Sequence, residues 1–196
     1  MNNYNSGIKK HDMTSGYANY DVSIERIHTP PAVVATPATL SGFGRLADGC
    51  VNVDGPATGG RFVVRHTTAF VYAHNHGFNG DEYVTGKHIP GLDTIVTREA
   101  NRHDDGEQLF CAIDSVDEFV LLLAPPSAHV TPDDFVRFTV TKANAPNGVI
   151  INRNTWHQPP YTTRGPAVIF TTAQAASHHC VLYDSLIEHN VWIRIY

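Results

Sequence analysis

The 196-residue chain is 42% hydrophobic and 17% charged, which is the composition of a globular domain with a substantial core and not of a disordered segment. A formal charge of -5, a pI near 6.1 and no block of Lys and Arg argue against nucleic acid as a partner. Cys50, Cys111 and Cys180 are widely separated, so neither a disulfide framework nor a cysteine-rich zinc site is indicated and a reducing cytosol fits.

The opening "MNNYNSGIKKHDMTSGYANYD" lacks the apolar stretch of a signal peptide, and residues 1–25 read as an extended arm without helical or strand period. From residue 26 to 196 a single domain is expected. Its apolar segments are short, β-branched or aromatic, and bounded by Gly, Pro, Asn and Asp: "CVNV", "RFVVR", "TAFVYAH", "DTIVTRE", "QLFCAI", "EFVLLLA", "FVRFTV", "GVIIN", "AVIFTTA", "CVLYD" and "VWIRIY". That is the strand signature, and no dozen residues carry a helical apolar period. "TPDDF" at 131–135 is expected to hold one short helical turn with Pro132 at its first position. The longest apolar run, "FVLLLAPP", is too short to span a bilayer, so a cytoplasmic protein without a membrane partner is expected. About ten short strands need closure to cover their edges, and a small all-β barrel with few helical turns is the predicted architecture.

Two stretches hold groups that bind or move protons. "REANRHDDGEQLF" at 98–110 sets Asn101, His103 and Gln108 just before an apolar strand. "GVIINRNTWHQPPY" at 148–161 runs from an apolar strand through a polar turn to Trp156, His157 and Gln158. In a small antiparallel barrel, groups from an early strand pair and a later strand meet at the barrel mouth. This spacing matches the cupin layout, the double-stranded β-helix or jelly roll, in which His-x-His, a Glu and a later His hold a metal. The four places here are Asn101, His103, Gln108 and His157, and neutral amides are weak ligands beside imidazole and carboxylate.

Each residue also has a plainer reading. His157 beside Trp156 reads as a core histidine with one hydrogen bond, His103 as a loop residue among carboxylates, and Gln108 as a strand-edge polar group. Asn152 and Arg153 divide between turn structure and substrate contact, because Asn bonds its own backbone in turns. Glu107 should face away from Gln108, since neighbours on a strand alternate, and only a bulge would make it a ligand. His74 and His76 in "YAHNHGFNGDEY" share one face of an extended segment and could join a metal site, although the following glycines favour a hairpin. "SHHC" at 177–180 and "ATGGRF" read as turns.

On these motifs the chain resembles the ureidoglycolate lyases, cupins of allantoin and purine breakdown. The resemblance rests on His103, Gln108 and Phe110, on Gly148-Val149, on Trp156-His157-Gln158-Pro159, and on the "VRFTV" and "IFTTAQAASHHCVLYD" segments, over roughly residues 90–185. It departs from the family at Gln158 for a second His, Ile151 for a Tyr and Asp104 for a Pro. The resemblance implies a homodimeric lyase that cleaves ureidoglycolate, or a related small ureido or hydroxy acid, to glyoxylate and urea. It implies His157, His103 and Gln108 as catalytic groups, with Arg153, Asn152, Gln158 and Arg98 binding the small carboxylic acid. No cofactor is chemically required. The rival is a metal-dependent cupin isomerase or oxygenase using a divalent metal on His103 and His157 with His74 or His76. A non-catalytic cupin that binds a small acid is a third reading. The terminal "VWIRIY", apolar on both faces, should be buried by the barrel or by a partner subunit.

Overall fold

The computed structural model describes residues 24–47, 66–72, 87–89, 94–104, 106–112, 118–158, 160–162, 167–173 and 180–195. The expected arm at 1–25 lies outside these but for its last two residues, and "CVNV", "RFVVR", "ATGGRF", His74, His76, and "SHH" at 177–179 lie wholly outside them.

In chain order the strands are β1 (Ile27–His28), β2 (Ala32–Val34), β3 (Gly44–Leu46), β4 (His66–Tyr72), β5 (Lys87–Ile89), β6 (Thr94–Thr97), β7 (Glu99–His103) and β8 (Gln108–Ala112). They continue with β9 (Glu118–Ala124), β10 (Val136–Thr141), β11 (Val149–Ile151), β12 (Trp156–His157), β13 (Tyr161–Thr162), β14 (Ala167–Ala173), β15 (Cys180–Asp184) and β16 (Trp192–Arg194). A 3₁₀ turn at Pro132–Asp134 fills the place foreseen for "TPDDF", where Thr131 and Asp134 form a capping box. One five-residue helix, α1 (Ser185–His189), was not foreseen. Asp184 caps it by accepting from the Leu186 and Ile187 amides, and Asn190 ends it in the left-handed region at φ 59°.

These strands form three sheets, ordered β1-β16-β6-β5, β15-β7-β12-β9-β10-β2 with β13 also on β9, and β3-β11-β8-β14-β4. The fold is all-β and cupin-like. Among the described residues no ladder closes the sheets into a barrel; they cover one another face to face instead. Phe119, Leu121 and Leu123 of β9 and Phe138 and Val140 of β10 pack on Phe110, Val149 and Ile151 of the facing sheet. The alternate residues of β9, Val120, Leu122 and Ala124, are buried on the reverse face with Ile95, Trp156, Tyr183, Ile193 and Ile195. Burial on both faces is why "EFVLLLA" is a continuous apolar run and not an alternating one.

The terminal segment reads differently in three dimensions than in sequence. Strand β16 lies between β1, which it joins in parallel, and β6, antiparallel, with Trp192 and Ile193 fully buried. The chain's own sheet therefore covers it.

Gly148 enters β11 at φ 90°, and a Cβ there would lie 2.1 Å from the Phe110 carbonyl oxygen. Only glycine meets both demands, and its presence lets the chain entering β11 lie close against its ladder neighbour β8.

Candidate active site

Between β11 and β12 the chain makes a tight turn that fixes one imidazole. Asn154 takes φ 66°, a conformation Asn tolerates, and its N–H donates to the His103 carbonyl at 2.8 Å. Its Oδ1 accepts from Arg102 Nη1 at 2.6 Å, and the Arg102 guanidinium lies over the Trp156 ring at 5.2 Å. Buried Thr155 donates its hydroxyl to the Phe43 carbonyl at 2.8 Å. The Thr155 carbonyl in turn meets His157 Nδ1 at 3.0 Å. A carbonyl can only accept, so Nδ1 carries the hydrogen in the neutral ring and Nε2 keeps the lone pair.

Strand alternation then sorts the neighbours. His157 pairs directly with Asn101 of β7 and with Leu123 of β9, so these side chains share its face. His103, two residues from Asn101, joins them, and its ring centroid lies 5.2 Å from that of His157. The Phe110 ring is 5.8 Å away on the facing sheet. Gln108 is two residues from Phe110 along β8 and opposite Ile151, and so belongs to the same inward face. Asn101, His103, Gln108 and His157 thus gather at one end of the space between the two sheets.

His157 is 3% exposed, and burial, aided by His103, pushes its pKa down to about 3, with the Thr155 carbonyl opposing. The ring is therefore neutral at neutral pH.

The remaining candidates are dispersed. Gln158, one residue on from His157, points the other way: its Nε2 donates to Thr97 Oγ1 at 2.8 Å on β6. Arg98 is held by Asp184 at 2.8 Å and faces Glu99 at 3.5 Å. Asn152 is half-buried, its amide bonded to the Phe43 carbonyl. Arg153 is exposed in the turn beside His103 and makes no ion pair among the described residues. Glu107 faces Arg45 in a two-point pair at 2.6 and 2.8 Å, not the histidines. Asp104 is exposed.

The donor set can be tested against a metal. Two imidazoles with two amides are a poor fit for a tightly held transition ion, and no group of three or more His, Cys, Asp or Glu able to hold one comes together among the described residues. Nor, among those residues, is any helix long and apolar enough to cross a membrane.

The fold is thus all-β and cupin-like, with a buried imidazole beside a second imidazole on its inward face. The ureidoglycolate lyase family profile matches residues 62–194, and the chain belongs to that family. No curated protein matches the chain.

Proposed function

We propose that the protein cleaves ureidoglycolate, or a closely related small ureido acid, to glyoxylate and urea by acid-base chemistry without a cofactor. The observation that supports this most is His157, buried and neutral with its Nδ1–H engaged by Thr155 and its ring beside His103. Ureidoglycolate carries a hydroxyl and a ureido nitrogen on one carbon. In the proposed reaction His157 Nε2 takes the hydroxyl proton as the C–O bond becomes a carbonyl. The C–N bond breaks with its electron pair going to nitrogen, and His103 supplies the proton that completes urea. The proton then passes from His157 back to His103, so the enzyme ends each turnover unchanged.

Gln108, on the same inward face, is the proposed amide contact of the urea. Arg153, exposed in the turn that abuts His103, is proposed to hold the carboxylate, whereas Arg98 is already engaged by Asp184. Purified protein given ureidoglycolate should release glyoxylate and urea in equal amounts. Absence of either product would reject the reading.

A further inference from the structure

One polar atom in this cluster has no role in the chemistry above. The Asn101 side-chain oxygen is buried and has no hydrogen-bond partner among the described residues. A buried acceptor left unmade is costly, and native proteins rarely keep one without use. The residue sits directly opposite His157 in the β7–β12 ladder, on the face it shares with His103. On the reverse face of β7, Ala100 is packed with Trp156 and Tyr183, and Arg102 lies over Trp156, so nothing on that side competes for Asn101.

We propose that Asn101 Oδ1 is the acceptor that recognises the terminal amino group of the substrate's ureido moiety. This rests on the proposed cleavage of ureidoglycolate. It goes further by making Asn101 a specificity-determining residue: it selects acids that bear an N–H donor beyond the scissile nitrogen, against acyl analogues that place a methyl group there. An amide suits the task. Its oxygen accepts strongly, yet unlike a carboxylate it adds no charge beside His157, whose ring stays neutral.

The test uses two unreactive probes that differ only at that terminal group: N-carbamoylglycine, which ends in NH₂, and N-acetylglycine, which ends in methyl. By titration calorimetry the wild-type protein should bind the carbamoyl compound about 10-fold or more tightly, because the methyl analogue leaves the oxygen unpaired. In Asn101→Leu, and in Asn101→Ala as a second variant, the preference should fall to within about threefold. The urea-unfolding midpoint should not drop in Asn101→Leu, since the side-chain oxygen makes no hydrogen bond among the described residues; a purely structural residue would lower it. An undiminished preference in folded variants of an active enzyme would overturn the role of Asn101 alone. A wild-type protein that binds neither probe and releases no glyoxylate would overturn the proposed function together with it.

Discussion

Lowering the pH from 7 to 5 should cost the fold stability through His157 in particular. Its pKa is about 3 in the folded protein against about 6.5 in the unfolded chain, so the unfolded state binds more protons throughout that interval. The sign follows: burying a neutral imidazole contributes its full stability above pH 6.5 or so and loses it progressively as pH falls toward 3. At roughly 1.4 kcal/mol per unit, the loss at pH 5 is about 2 kcal/mol. That is a sizeable share of the roughly 5–15 kcal/mol typical of a folded domain. Urea unfolding followed by the fluorescence of Trp156 and Trp192, both buried, measures it. The comparison is with His157→Gln, which keeps a side-chain donor for the Thr155 carbonyl but has no proton to gain. Wild type should lose about 2 kcal/mol more than the variant between the two pH values. Equal losses would refute the claim that His157 is buried in its neutral form.

Further outcomes test other parts of the account. Gly148→Ala should destabilise by more than about 2 kcal/mol in urea unfolding, because the new Cβ meets the Phe110 carbonyl at a φ that alanine disfavours; a midpoint shift near zero would contradict the close approach. Arg153→Ala should raise KM for ureidoglycolate roughly 10- to 100-fold with little change in kcat, the cost of one charged hydrogen-bonding partner; an unchanged KM would remove it from the carboxylate site. Dialysis against a chelator should leave turnover intact, and activity lost and then restored by one divalent ion would favour the metal-dependent reading. We expect a homodimer by light scattering, with the exposed Leu182 and Ile187 as apolar groups available for contact; a mass near 21.5 kDa would reject it.

The long strands were legible because β-branched and aromatic runs between turn residues have few other uses, and β8, β9, β10 and β14 lie where those runs stand. Two-residue strands such as β1, β12 and β13 carry no periodicity to read, and they exist because longer neighbours offer them a ladder. Helix α1 is too short for an apolar period, and its only sequence signals were the Asp184 cap and the closing Asn190. In the site, the spacing around His103, Gln108 and His157 was visible, whereas their convergence depends on β7 and β12 pairing across more than fifty residues of chain. The direction of Gln158 was within reach: the alternation rule that set Glu107 apart from Gln108 also sets Gln158 apart from His157. The Arg98–Asp184 and Arg45–Glu107 pairs were not, since each joins segments distant in sequence, and no local pattern announces such a contact.

The central claim is that His157 takes the hydroxyl proton as the carbon–nitrogen bond breaks, and single-turnover glyoxylate release from ureidoglycolate measures that step directly. His157→Ala, folded by circular dichroism, should release glyoxylate roughly 10²- to 10⁴-fold more slowly than wild type. A folded variant that cleaves at the wild-type rate would contradict the account.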